Sequence, residues 1–291
     1  MTADYSRAAT ITTGDFTTAY HDTGAGEGEG APLLLLHGSG PGVTAWANWR
    51  GVIARLAPGS LDRNTVLTQA PRRRLIAPDL AGFGQTRLPD GAAFTMSTWV
   101  TQVIDLLDAL GIEKTDLVGN SFGGALALRL TIDHPDRVNR LVLMGSVGVH
   151  FPITEGLDFV WGYTPSLENM RKAVSLFVDD QSLVTDDLVK LRYEASTNPA
   201  TRASYEAMFP APRQRWVDAM AAPQDDIRGI RQRTLIVHGR EDRIIPPRNA
   251  LKLVHLIDQA ELHIFGHCGH WTQIEKVDEF CQLVDWFLAA P

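Results

Sequence analysis

Short runs of apolar residues recur along the chain, separated by longer segments with helical periodicity. Runs this apolar are typical of strands buried on both faces, and the segments between them are long enough for crossover helices. The pattern therefore predicts an α/β protein with a mainly parallel sheet and flanking helices. The six runs are "LLLLHG" (33–38), "RLIAPD" (74–79), "TDLVGN" (115–120), "VNRLVLMGS" (138–146), "RTLIVHG" (233–239) and "AELHIF" (260–265).

Two regions depart from this pattern. Residues 9–24 alternate Thr and aromatic residues around Gly14-Asp15, which predicts an antiparallel hairpin on the sheet edge. Residues 151–222 contain helical pieces rich in Trp, Tyr, Met and Pro. We expect them to form a helical cap, inserted after the sixth strand, over the carboxyl ends of the strands where open α/β sheets bind ligands. The core domain would then comprise residues 1–150 and 223–291.

Composition narrows the class of protein. The chain has 291 residues, of which 44% are hydrophobic and 21% charged, and its net charge is -7. These values suit one large globular core and give no electrostatic case for a nucleic-acid or anionic-membrane partner. No apolar run approaches the roughly 20 residues that span a bilayer. With only two cysteines and no leader pattern at the start, we expect a cytoplasmic protein.

Two polar segments, 25–32 and 58–74, predict loops on the surface. The second is long for a connection of this kind. An arginine cluster, "PRRRL" (71–75), ends it and predicts a solvated loop edge.

One stretch, "VGNSFGGA" (118–125), places Ser121 two residues from Gly119 and from Gly123. This Gly-x-Ser-x-Gly spacing, between a predicted strand and a predicted helix, is typical of a nucleophile elbow in which the serine projects from a strained turn. A glycine turn with a buried serine is the alternative. The strand before the motif and the helix after it favour the nucleophile.

A serine hydroxyl is a poor nucleophile unless a base takes its proton and an acid orients that base. Asp242 follows the fifth apolar run and His270 follows the sixth, in the chain order acid then histidine. Their predicted loops lie at the same edge of the sheet as Ser121. Glu241 and His267 are neighbouring alternatives, but Asp242 and His270 fit the loop positions better.

Acyl transfer also needs two backbone amides that stabilise an oxyanion. Phe122, at the positive end of the helix that follows the serine, is one predicted donor. The loop at 37–42 is expected to provide the other because its glycines expose amides, although a turn without a ligand is an alternative there. We predict no cofactor and no metal, since the histidines show no ligand spacing such as His-Glu-x-x-His.

These residues and several longer stretches make the chain similar to the meta-cleavage product hydrolases of aromatic degradation, within the α/β-hydrolase superfamily. The similarity spans nearly the whole chain. The stretches that carry it are "HGSGPGVTAWANW" (37–49), "GNSFGGALAL" (119–128), "GHCGHWTQIE" (266–275) and "LRYEAS" (191–196).

The resemblance implies hydrolysis of a carbon–carbon bond in 2-hydroxy-6-oxo-hexa-2,4-dienoates, which gives 2-hydroxypenta-2,4-dienoate and a carboxylic acid. Ser121 is then the nucleophile, Asp242 the orienting acid, and His270 the base and proton shuttle. The amides of Ser39 and Phe122 form the oxyanion hole. A homo-oligomer is also implied by the resemblance.

The substrate carboxylate is met in this family by residues that match Arg192 and Asn48. Asn120 and Trp271 match positions that flank the dienoate, and Gly40 is a further expected substrate contact. The chemistry is consistent with these roles, because a guanidinium fork suits a carboxylate and an indole covers a flat conjugated chain.

The residues by themselves leave other interpretations of these positions open. Arg192 could pair with Glu194 or Asp187, and Asn48 could cap a helix. Cys268 is expected to be a packing residue. Five apolar cap residues are candidates to shape the subsite for the ketone substituent of the substrate: Phe151, Trp161, Phe177, Met208 and Trp216.

Two competing functions share the predicted fold. A carboxylesterase or lactonase uses the same triad, but Arg192 and Asn48 have no obvious task in the hydrolysis of a neutral ester. A non-catalytic ligand receptor belongs to a different class, and negligible turnover with tight ligand binding would support it. Enzymes of this fold with an aspartate nucleophile are excluded because Ser121 occupies that position.

Overall fold

A computed structural model describes residues 4–24, 30–57, 73–88 and 91–289. Within these ranges the chain forms one eight-stranded sheet. The strands are β1 Ala9–Thr13, β2 Phe16–Asp22, β3 Leu33–Leu36, β4 Leu75–Pro78, β5 Thr115–Asn120, β6 Val138–Met144, β7 Arg233–Gly239 and β8 Ala260–Phe265. Their order across the sheet is β1-β2-β4-β3-β5-β6-β7-β8.

The hairpin and the mainly parallel sheet are both confirmed. β1 and β2 pair in antiparallel fashion at one edge, and Thr13 opposes Phe16 across a turn in which Gly14 has a φ of 54°. β2 is also antiparallel to β4, whereas β4, β3, β5, β6, β7 and β8 run parallel. The carboxyl ends of these six strands therefore lie at one edge of the sheet, which is where α/β proteins place their sites.

Helices connect the strands and cover both faces of the sheet. The described chain contains α1 Ala45–Leu56, α2 Met96–Ala109, α3 Phe122–Asp133, α4 Glu155–Trp161, α5 Leu167–Phe177, α6 Asp186–Thr197, α7 Pro199–Met208, α8 Gln214–Met220, α9 Gln224–Arg228, α10 Arg248–Leu256, α11 Thr272–Glu275 and α12 Val277–Ala289, with short 3₁₀ turns at Pro135–Arg137 and Gln181–Leu183.

β3 shows why the apolar runs lack alternation. Leu33 and Leu35 pack in a cluster with residues of α1 and α12 on one face, whereas Leu34 and Leu36 belong to the larger cluster with α2 and α3 on the other. All four leucines are at most 1% exposed. Full burial of each such side chain stabilises the fold by about 1.5–3 kcal/mol, so a polar residue at any position of the run would be costly.

Helices α4 to α8 lie within residues 151–222, between β6 and β7. They carry their own aromatic contacts, of which the closest joins Trp161 and Phe209, stacked with ring centroids 4.4 Å apart. This segment meets the core where Thr154 Oγ1 donates to the carbonyl of Ile244 at 2.7 Å. The division into a core of 1–150 and 223–291 and a cap of 151–222 stays a prediction.

The prediction of a solvated edge at the arginine cluster is wrong for Arg73. Its side chain is 11% exposed, its Nη1 donates to Asp116 Oδ2 at 2.6 Å, and its Nη2 donates to the carbonyl of Leu288 at 2.7 Å. A buried carboxylate at the start of β5 requires a cation, and the cluster provides one. The predicted loops at 25–32 and 58–74 lie, for residues 25–29 and 58–72, outside the described residues.

No helix in the described ranges is both long enough and apolar enough to cross a membrane.

Candidate active site

Ser121 occupies a strained turn between β5 and α3. Its φ of 55° and ψ of -112° lie in a region that residues other than glycine rarely adopt. The turn is tight because a Cβ on Gly119 would lie 2.4 Å from the carbonyl oxygen of Gly123, and one on Gly123 would lie 2.3 Å from that of Leu36. Only glycine fits at both positions, which is the backbone requirement of a nucleophile elbow.

Asp242 and His270 meet at the carboxyl ends of β7 and β8. His270 Nδ1 donates to Asp242 Oδ2 at 2.7 Å, and both side chains are at least 97% buried. Asp242 Oδ1 accepts the backbone amides of Ile244 and Ile245 at 2.8 and 2.9 Å. The carboxylate therefore sits in one orientation and selects the imidazole tautomer whose Nε2 is free to accept a proton.

Burial by itself would raise the pKa of Asp242. The neighbouring His270, and then the hydrogen bond from His238, outweigh that effect and hold the pKa of Asp242 well below its usual range. The carboxylate thus stays ionised beside the imidazole of His270. Among the described residues, no hydrogen bond of 3.5 Å or less joins Ser121 Oγ to His270, and such bonds commonly tighten only in the substrate complex.

The loop that follows β3 packs beside Ser121. β3 and β5 pair in parallel, so the loop after β3 lies against the elbow, and a Cβ on Gly38 would be 3.4 Å from Ser121 Cβ. His37 holds this loop, because its Nε2 accepts the amide of Leu80 at 3.0 Å and its Nδ1 donates to the carbonyl of Gly38 at 2.7 Å. An oxyanion hole needs backbone amides in fixed positions, and Ser39 belongs to the loop that His37 holds.

Neither the amide of Ser39 nor that of Phe122 donates to a protein acceptor within the described part of the chain. The side chain of Phe122 points into the core and is fully buried. Only its amide, at the N-terminus of α3, is thus free to serve a ligand.

A pocket with an empty volume of about 470 Å³ opens beside the serine. Eight of the ten residues that the sequence assigned to the site line it, while Asp242 lies behind His270 and Phe122 lies beneath the elbow. The eight lining residues are Ser39, Gly40, Asn48, Asn120, Ser121, Arg192, His270 and Trp271.

Arg192 enters this pocket from α6 and is 5% exposed. Its Nη1 donates to the carbonyl of Gly42 at 3.3 Å, and no carboxylate of the described residues, Glu194 and Asp187 included, lies within 4.0 Å of it. Burial, and then the nearby charge of Arg50, lower the pKa of Arg192 to about 10. It remains a cation at neutral pH, without the anionic partner that a buried charge normally requires.

Asn48 and Gln273 form a buried amide pair next to Arg192. Gln273 Nε2 donates to Asn48 Oδ1 at 3.3 Å, which leaves Asn48 Nδ2 buried and without a partner. Thr44 caps α1 through its side chain, so the alternative of a capping role for Asn48 is wrong. A guanidinium and an amide N–H, both short of acceptors and both lining one pocket, are what a carboxylate binds.

Aromatic rings cover the other side of this pocket. Phe177 stacks on Trp271 with centroids 4.6 Å apart and lies 5.9 Å from the ring of His270. Of the other cap residues considered from the sequence, Trp161 donates from Nε1 to Ser39 Oγ at 2.9 Å. Of the five candidate cap residues, Phe177 lines the pocket, whereas Phe151, Trp161, Met208 and Trp216 do not.

Sequence reasoning missed several residues here. Gln273 contacts Asn48, and His238 contacts Asp242. The sequence did contain a signal for His238, because this histidine lies four positions before the predicted acid. The aliphatic residues that line the pocket could not be identified from the sequence, since they resemble ordinary core residues. They are Val43, Leu157, Val160, Met170, Val174 and Ile244.

No group of three or more His, Cys, Asp or Glu side chains in the described ranges is arranged to hold a metal ion.

The chain matches the family model of the alpha/beta hydrolase fold over residues 31–277. It is 52% identical over 280 residues to the 2-hydroxy-6-oxo-2,4-heptadienoate hydrolase of Pseudomonas putida. This alignment covers 96% of this chain and 95% of that protein. It is also 54% identical over 272 residues to the 2-hydroxymuconate semialdehyde hydrolase of a Pseudomonas species, with 94% and 90% covered.

A solved structure shows the same architecture. The meta-cleavage product hydrolase from Pseudomonas fluorescens IP01, a serine-to-alanine mutant complexed with acetates, superimposes with a TM-score of 0.88. It is 49% identical to this chain, and the match covers 96% of both chains.

Proposed function

We infer that this chain, which belongs to the α/β-hydrolase fold family and within it to the meta-cleavage product hydrolases, hydrolyses a carbon–carbon bond through Ser121, His270 and Asp242. Its substrates are 2-hydroxy-6-oxo-hexa-2,4-dienoates, the ring-fission products of aromatic degradation. Water and the dienoate give 2-hydroxypenta-2,4-dienoate and a carboxylic acid.

The observation that carries the substrate assignment is the buried cation of Arg192. No carboxylate in the described ranges pairs with it, and Asn48, whose buried Nδ2 has no partner, lines the same pocket. A substrate carboxylate would accept hydrogen bonds from both groups, while the indole of Trp271 would cover the flat dienoate. A neutral ester would leave the guanidinium buried and unpaired, which disfavours a carboxylesterase or lactonase.

Cleavage between two carbons requires an electron sink, because the leaving group is otherwise a free carbanion. In the proposed sequence the dienol is first ketonised: the 2-hydroxyl loses its proton and C5 gains one, with His270 Nε2 as the shuttle. The C2 carbonyl, conjugated through C3 and C4, then stands ready to accept the electron pair of the C5–C6 bond.

Ser121 Oγ attacks the C6 ketone while His270 takes its proton, and the amides of Ser39 and Phe122 stabilise the oxyanion. The C5–C6 bond breaks, its electrons move to the C2 oxygen, and the dienol product forms by protonation. The acyl group stays on Ser121 until water, activated by His270, releases it as the carboxylic acid.

The ketone end of the substrate is proposed to carry hydrogen or a small alkyl group. The rest of the pocket wall is largely aliphatic, with Leu157, Val160 and Met170 among its members. The two Pseudomonas relatives described above are named for a 6-oxo-heptadienoate, in which the ketone carries a methyl group, and for a semialdehyde, in which it carries hydrogen. Both substituents are small.

We propose two further properties of this protein, its compartment and its assembly. Cys268 and Cys281 are both free thiols, which suits a reducing compartment such as the cytoplasm. A homo-oligomer is expected from the family, and light scattering of the purified protein would determine its size.

The test of the function is the loss of dienolate absorbance when the enzyme meets ring-fission products with hydrogen, methyl, isopropyl or phenyl at the ketone. We expect rapid bleaching with the small substituents. Ser121→Ala should abolish it, and Arg192→Ala should weaken mainly the substrate affinity. No bleaching beside brisk hydrolysis of simple esters would indicate an esterase, and tight binding without turnover would indicate a receptor.

A further inference from the structure

A second histidine contacts the carboxylate of the proposed triad. His238 lies near the end of β7, is 1% exposed, and places its Nε2 3.1 Å from Asp242 Oδ2. The same Nε2 lies 2.9 Å from the carbonyl oxygen of Ile245. Because both neighbours are acceptors, Nε2 carries a proton and shares it between them.

Asp242 therefore receives donors at every position that a carboxylate offers. Oδ1 accepts the amides of Ile244 and Ile245, while Oδ2 lies between His270 Nδ1 at 2.7 Å and His238 Nε2 at 3.1 Å. An ionised carboxylate has about four lone-pair sites. The imidazole of His238 occupies one of these lone-pair sites. Without His238, that site would be buried without a donor, and Oδ2 would attract the proton of His270 more strongly.

We propose that His238 is a positioning residue of this hydrolase, which holds Asp242 in its orientation and tunes how strongly Asp242 accepts the hydrogen bond of His270. This inference rests on the proposed function of the triad. By withdrawing charge from Oδ2, the donor from His238 weakens the stabilisation that Asp242 gives to a protonated His270. Removal of this donor should therefore strengthen that stabilisation, which the pH dependence of turnover would report.

Other titratable groups around Asp242 do not offer the same control. Cys268 faces it, but burial raises the pKa of that thiol to about 12, so it is neutral over the working range. Glu241 is turned away, since its Oε2 accepts the amide of Cys268 at 3.0 Å and its Oε1 accepts Arg240 Nε at 2.8 Å. Within the described residues, the imidazoles that touch Asp242 are those of His238 and His270.

The test compares three substitutions of His238, two that remove the hydrogen-bond donor to Asp242 and one that keeps it. His238→Phe removes the donor. His238→Gln places an amide nitrogen near the position of Nε2, and His238→Asn places one near Nδ1, where it does not reach Asp242. We would record kcat/KM against pH for the ring-fission product and for p-nitrophenyl acetate, with the thermal transition of each variant as the check on folding.

We expect the acid limb of both profiles to move to higher pH by about 0.5–1 unit in His238→Phe and His238→Asn. His238→Gln should return it toward the parent position, with KM for the dienoate unchanged. Profiles of the Gln and Asn variants that superimpose on the parent would overturn the proposal and leave His238 a packing residue, even if the Phe variant fails to fold. Failure of the proposed function is distinguishable, since it would remove activity on the ring-fission product only.

Discussion

The guanidinium of Arg192 lies across the indole of Trp271, with Cζ 5.0 Å from the ring centroid. An aromatic face and the carbonyl of Gly42 are the groups that hold this buried cation, and neither is an anion. Cation–π contact compensates only part of the lost hydration. The proposed site is therefore prepared for a carboxylate at the cost of stability in the free protein.

Arg192→Met should consequently separate stability from binding. The pKa of Arg192 is lowered to about 10, so burial and the nearby charge of Arg50 together disfavour the charged form by about 3 kcal/mol. Loss of the charge should raise the free energy of unfolding of the free protein by up to that amount. Dienoate binding, measured in the Ser121→Ala background, should weaken by about 2–5 kcal/mol.

The matched control is Arg202→Met on α7, because Arg202 is paired with Glu206 on the surface and its side chain is 53% exposed. It should change unfolding and binding by less than about 0.5 kcal/mol. A lower thermal transition for Arg192→Met with unaltered affinity would refute the carboxylate-binding role.

Ser121→Ala and Ser121→Gly should both lose turnover by at least about 10³-fold, because neither has a hydroxyl to acylate. They should differ in stability. Ala keeps the strained φ of 55°, whereas Gly adopts it freely, so the Gly variant should unfold with a free energy about 1 kcal/mol higher. Urea unfolding of the two variants measures the difference, and equal midpoints would argue against strain at the elbow.

Gln273→Leu should loosen Asn48 without touching the triad. The Nε2 of Gln273 fixes the Asn48 amide through a 3.3 Å hydrogen bond, so its loss should raise KM for the dienoate about five- to tenfold, with kcat nearly unchanged. Gln273→Glu should be worse, because it brings a buried carboxylate close to the substrate carboxylate. A large fall in kcat with constant KM would contradict this assignment.

The two cysteines should resist alkylation while the protein is folded. Burial raises the pKa of both Cys268 and Cys281 to about 12. At pH 8 only about 10⁻⁴ of each thiol is then ionised, against roughly a quarter in the unfolded chain, where the pKa is about 8.5. Mass spectrometry after iodoacetamide treatment should find both thiols unmodified in the native protein and both modified in guanidinium chloride. Rapid native labelling of Cys268 would show that it is accessible and acidic.

The amino-acid sequence by itself determined the class of fold and the order of the proposed catalytic groups. Both depend on local patterns. Apolar runs predict strands buried on two faces wherever they occur, and Gly119 and Gly123 around Ser121 predict a tight strand-to-helix turn because only glycine avoids a clash there. Since parallel strands end at one sheet edge, the loops that carry Asp242 and His270 could be expected beside that turn.

Tertiary structure alone decided which polar groups are paired. Arg73 appeared as one of a solvated cluster, yet it lies against Asp116, and Gln273 reaches Asn48 across 225 residues of sequence. Arg192 had acidic neighbours in the sequence and has no carboxylate partner in the described structure. Partners of this kind are set by distance and by the loss of water around each group, and neither quantity is encoded in local spacing. The same holds for His238, whose role follows from 3.1 Å between its Nε2 and Asp242 Oδ2.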